Sequence, residues 1–130
     1  MGPVNWIAVI LAANVAVAVG IVWYGPLLRA GRPLLEGPGA APRSYGRVVI
    51  AMLVSAAMMG HNFARIGAAT LAAKPWLYWM MSGGFALAFI WPALFVGLAR
   101  HGVDLRGRLI DCGYWMAAFL AMGTVFWALS

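Results

Sequence analysis

VNWIAVILAANVAVAVGIVWY, residues 4–24, carries no charged side chain and only Asn5 and Asn14 as strongly polar ones. A bilayer core about 30 Å thick is crossed by a helix of roughly 20 apolar residues, so this stretch is long enough to span it. Three more stretches of the same kind follow, at about 48–72, 76–98 and 109–129. With 65% hydrophobic and 9% charged residues over 130 positions, a water-soluble domain is excluded. The expected fold class is all-α: a polytopic integral membrane protein, a four-transmembrane-helix bundle forming one membrane domain over 1–130. No alternating strand pattern competes with this reading.

The first stretch is read as a retained span rather than a leader. No Lys or Arg precedes it, and Trp23-Tyr24-Gly25-Pro26 follows where a cleavage site would have small residues. The lone Cys112 excludes an intrachain disulfide or a Cys-x-x-Cys pair.

Orientation follows from the basic residues, because Lys and Arg in short loops stay on the cytoplasmic side. Arg29, Arg32, Arg43 and Arg47 flank the first connection, and Arg100, Arg106 and Arg108 flank the third. The second connection has only Lys74, with Arg65 about two turns earlier. Both termini are therefore expected in the periplasm, and the chain in a bacterial inner membrane. The net charge of +6 and pI near 10.5 belong to that topology and to attraction for anionic head groups, not to nucleic acid, for which no groove-reading motif is present. The first connection, about 25–47, holds Pro26, Pro33, Pro38 and Pro42 among several glycines and is expected as an interfacial loop.

Lipid removes most of the hydrophobic drive between helices, so small residues must let backbones approach. Ala8, Ala12, Ala16 and Gly20 form one such stripe; Ala56, Gly60, Ala64, Ala68 and Ala72 form a second, and Gly113, Ala117 and Ala121 a third. Pro92 is expected to interrupt the third span. Trp6, Trp23, Tyr24, Trp76, Tyr78, Trp79, Tyr114 and Trp127 fall near span ends, as interfacial anchors do.

Few residues carry chemistry. His61 and Arg65 are four apart and Asn62 and Arg65 three apart, so on a helix their side chains can converge. Asn14, Ser82 and Thr124 lie at comparable depths in the outer half. One reading has Arg65 reaching the outer head groups while His61 and Asn62 bond to neighbouring helices. The sharper reading is a ligand site made by His61, Asn62, Arg65 and Asn14. His101 is on the other side of the membrane from His61, which argues against a haem or metal pair within one chain. No G-x-S-x-G, H-E-x-x-H, phosphate loop or paired intramembrane carboxylates occur, so no catalytic residue, cofactor or metal is expected.

Asp111 is the single acid within a predicted span. In the first turn of the fourth helix, a negative charge is favoured by free backbone N–H groups. Arg108 or Arg47 could pair with it, and Tyr24 and Tyr114 are candidate hydroxyl partners, giving a structural clamp at the cytoplasmic ends.

Asn5-Trp6 opening the first span, Trp23-Tyr24-Gly25-Pro26-Leu27 closing it, Ile110-Asp111-Cys112-Gly113-Tyr114 opening the last and Met122-Gly123 near its end resemble the bacterial four-span membrane proteins grouped as domain of unknown function 1761. The resemblance covers essentially the whole length, with Cys112 where a small residue such as alanine is expected. It implies an inner-membrane protein and supplies no activity. Two function classes stay open: a non-enzymatic component packing against itself or a larger membrane complex, and a small oligomeric transporter, channel or ligand-binding bundle.

Overall fold

A computed structural model describes residues 2–28 and 46–130. Arg29, Arg32, Glu36, Arg43 and most of the expected proline-rich connection lie outside the described residues.

Helix α1, Trp6–Val22, starts at Asn5, whose side chain accepts from the Ala8 N–H at 3.0 Å and satisfies one free donor of the first turn. It runs on through an apolar stretch whose one strongly polar residue is Asn14 into a π-helical turn, Trp23–Leu27, where Pro26 has no N–H to give and Gly25 leaves helical geometry. Helix α2, Gly46–Ile66, stops at Gly67, whose φ of +90° is one that only glycine takes without strain. A short α3, Ala68–Ala73, and a turn at Lys74–Trp76 lead into α4, Leu77–Phe85. A second π turn, Ala86–Ile90, joins α4 to α5, Trp91–Arg100. Asp104 caps α6, Leu105–Ala128, by accepting from Gly107 N–H at 3.3 Å. Among the described residues, four helical spans are long and apolar enough to cross a membrane: Trp6–Leu27, Gly46–Ile66, Leu77–Arg100 and Leu105–Ala128.

Two details differ from the sequence reading. The second span ends about six residues early, because hydropathy runs on through the alanines of α3 while the backbone breaks at Gly67. His61, Asn62 and Arg65 therefore lie in its last two turns. Pro92 does interrupt the third span, and the interruption takes the form of the π turn just before it, which relieves the clash of the proline ring with the preceding turn.

Around the bundle the order is α2, α1, α6, then the α4–α5 span, and α1 against α6 is the central contact. α2 and α4 meet chiefly where the Phe63 and Tyr78 rings lie 4.8 Å apart. The first small-residue stripe is buried throughout: Ala8, Ala12 and Ala16 are fully covered, and Gly20 is buried. In α2 only Ala56 and Gly60 of the expected stripe are buried; Ala64 is half-buried, and Ala68 and Ala72 lie beyond the break. A Cβ on Gly60 would stand 2.9 Å from Val9 Cγ2, so α2 crosses α1 there. In α6 the expected stripe of Gly113, Ala117 and Ala121 is half-buried, while Cys112, Tyr114, Ala118, Phe119, Met122, Gly123 and Phe126 are buried. The reason is that α6 has neighbours on two sides, so its covered surface is wider than one stripe. A Cβ on Gly123 would run into Ser82 Oγ and the Tyr78 carbonyl, which marks the close approach of α4 and α6.

Candidate functional site

The polar residues of the second span do not gather with Asn14. The buried face of α2 is Met52, Ala56, Met59, Gly60 and Phe63, and His61 and Arg65 fall on the opposite, exposed face with Ile50, Val54 and Met58. Asn62, half-buried, donates from Nδ2 to its own helix at Met58 O, 2.9 Å. Asn14, exposed on α1, does the same to Ile10 O at 2.8 Å. Ser82 is buried and donates to Tyr78 O at 2.8 Å, and Thr124 Oγ1 accepts from Trp79 Nε1 at 2.9 Å. The convergence of His61, Asn62, Arg65 and Asn14 expected from spacing therefore fails within one chain. Spacing along a helix says which side chains share a face, but not which way that face turns.

At the end of the bundle opposite the termini, the segment Ile110–Tyr114 is bound at nearly every residue. Trp23 Nε1 donates to Ile110 O at 3.0 Å, and Tyr24 Oη donates to Asp111 Oδ1 at 2.7 Å. Trp91 Nε1 donates to Cys112 O at 2.8 Å. Gly113 leaves room for the Trp23 ring, which a Cβ would meet at 2.9 Å. Tyr114 Oη donates to Ala16 O at 3.2 Å, and its ring stands 5.5 Å from that of Tyr24. Both indole donors belong to residues bordering π turns. Trp23 and Tyr24 are neighbours that a regular helix would set about 100° apart, yet both face α6 from the start of such a turn.

This junction settles the partner of Asp111 among the described residues. Tyr24 supplies the hydrogen bond; Tyr114 reaches a backbone carbonyl of α1 instead. The Arg108 guanidinium lies over the Phe95 ring, 4.8 Å from its centroid, and its buried Nε has no partner among the described residues. Arg47 is exposed at the start of α2. Of the four candidate partners, Arg108, Arg47, Tyr24 and Tyr114, the one that bonds to the Asp111 carboxylate is the Tyr24 phenol. Sequence reasoning missed Trp91 and gave Trp23 no task beyond interfacial anchoring. The available signal was that each lies one to three residues before a proline inside an apolar run.

The opposite end contains a cavity of about 360 Å³ between the end of α2, α3, the start of α4 and the two chain ends. Its inner wall is Phe63, Leu71, Tyr78 and Phe126, with Gly60 and Ala64 beside them, and Asn5 and Ser130 at its edge. Asn5 Nδ2 also donates to Leu129 O at 3.1 Å, tying the start of α1 to the end of α6.

These arrangements hold helices together at one end and enclose a space at the other. No curated protein and no solved structure is significantly similar to the chain. Residues 7–127, nearly the whole length, match one family, and the chain with its four apolar spans accordingly belongs to the family described as protein of unknown function, DUF1761.

Proposed function

We propose that the protein is a non-enzymatic packing component of a bacterial inner membrane, with both termini in the periplasm, that works by associating with a second copy of itself. Asn14 carries this reading. It stands eight residues into the span Trp6–Leu27, about 12 Å along the axis at ~1.5 Å per residue, on the face of α1 turned away from the bundle. Its neighbours on that face are Ile7, Ile10, Leu11 and Ala18. One amide hydrogen is spent on Ile10 O, which leaves an N–H and the amide oxygen facing lipid, where no water can satisfy them. Pairing of Asn14 with its copy across a twofold axis supplies both partners, as polar residues do between membrane helices. The hydrogen bonds of Trp23, Tyr24, Trp91 and Tyr114 along Ile110–Tyr114 tie α1 and α5 to α6 and so support a bundle that presents this face.

Fluorescence energy transfer between donor- and acceptor-labelled chains in lipid vesicles tests it. Dimers are expected at low protein-to-lipid ratio, and Asn14→Leu is expected to weaken them about 3- to 30-fold, the range of one interhelical hydrogen bond. Wild-type chains that stay monomeric, or a dimer indifferent to Asn14→Leu, would reject this face; a foreign subunit bound in stoichiometric amount would move the proposal to a larger complex.

A further inference from the structure

We infer that the cavity between α2, α3 and α4 is a binding site for a small, uncharged, mostly apolar ring compound bearing one carbonyl or hydroxyl oxygen. The inference is independent of association through α1, because the cavity is at the terminal end and Asn14 does not line it. Its volume, about 360 Å³, lies at the lower end of the range of small-molecule sites. None of the lining side chains is charged, so no side chain there would compensate an ionic ligand for its lost water. The wall is aromatic: Phe63 stands 4.8 Å from Tyr78 and 5.2 Å from Phe126, both tilted, which suits a flat ring better than a flexible chain.

The second observation is the Tyr78 hydroxyl. Tyr78 is only 4% exposed, yet its phenol makes no hydrogen bond with any described residue. Arg108 Nε is the only side-chain polar atom among the described residues that is both sealed and unpartnered. The Tyr78 hydroxyl is therefore open, and since the residue is otherwise covered and lines the cavity, its opening is the cavity. Buried tyrosine hydroxyls ordinarily find a partner, and here a ligand oxygen can be that partner. Ser82 does not line the cavity, and its hydroxyl lies against the backbone of its own helix at Tyr78 O and Trp79 O.

The test uses the full chain in detergent micelles with 4-(trifluoromethyl)acetophenone as probe, read by the relaxation of its ¹⁹F signal against empty micelles. 1-Ethyl-4-(trifluoromethyl)benzene, the same ring without the oxygen, is the companion probe. Saturable binding of the ketone is expected, with the oxygen-free ring about fivefold weaker, the difference one neutral hydrogen bond makes. Tyr78→Phe should bring the ketone down about fivefold and leave the companion unchanged. Ala68→Phe, at a position exposed on α3 that also lines the cavity, should abolish both while thermal unfolding stays near wild type. Signals equal to those of empty micelles, or indifferent to Ala68→Phe, would overturn the site. Binding lost in Ala68→Phe but identical for both probes and unmoved by Tyr78→Phe would overturn the assigned class of ligand, leaving a featureless apolar slot.

Discussion

Asp111 and Tyr24 are 87 residues apart and share a 2.7 Å hydrogen bond, the only one that joins a carboxylate to another span among the described residues. A hydrogen bond to a charged group contributes about 1.5–3 kcal/mol, so Tyr24→Phe should lower stability in detergent by an amount of that order. In an Asp111→Ala background the same change should add at most a few tenths, whereas Arg108→Gln should cost the same with or without Asp111. Chemical denaturation of the three single and two double variants measures this. Additive losses for Tyr24 and Asp111 would reject the phenol as partner, and strong coupling of Asp111 to Arg108 would assign the arginine in its place. The need of Asp111 for a partner was legible in the sequence, since an acid at a span's edge must be satisfied. The choice was not. Arg108 is nearer in sequence, but it lies one turn back on the same helix and leans on Phe95, while a π turn aims Tyr24 across the interface.

At the level of helices, glycines separate two roles that composition cannot distinguish. Gly123 and Gly97 both sit inside apolar helices, but a Cβ on Gly123 would collide with Ser82 Oγ and stand 2.9 Å from a backbone oxygen, while one on Gly97 would meet nothing within 4 Å. Gly123→Ala should therefore force α4 and α6 apart and destabilise by about 1–3 kcal/mol. Gly97→Ala should be neutral or stabilise by up to about 1 kcal/mol, because it only narrows the unfolded ensemble. Thermal unfolding of both variants side by side checks the contrast, and equal effects would mean that the close approach at Gly123 is not a real constraint. The four spans were readable because each is a long run of apolar residues, and lipid admits no other backbone arrangement than a helix for such runs. The break at Gly67 was hidden, since a positive φ leaves no mark on hydropathy when alanines stand on both sides. Which face of α2 carries His61 and Arg65 was hidden for a related reason. The face is chosen by the crossing at Gly60, a contact with Val9 and Phe126 in other helices.

For the molecule as a whole, Arg47, Arg100, Arg106 and Arg108 lie at one end, and Arg65, Lys74 and both chain ends at the other. Positive charge in short connections is held in the cytoplasm, so alkaline phosphatase fused after Ser130 should be active and the same enzyme inserted after Gly39 inactive. The reverse pattern would invert the orientation. The cavity, too, belongs to this scale: its walls come from positions as distant as Gly2, Gly60, Tyr78 and Phe126, and no local pattern joins them. The hydrogen bond from Asn5 to Leu129 O brings the beginning of the first span to the end of the last. The path of the chain is therefore nearly a closed ring. A circular permutant whose old ends are joined by a few residues and whose new ends are cut in the first connection would keep every span in place, and would carry its ends on the opposite side of the bilayer.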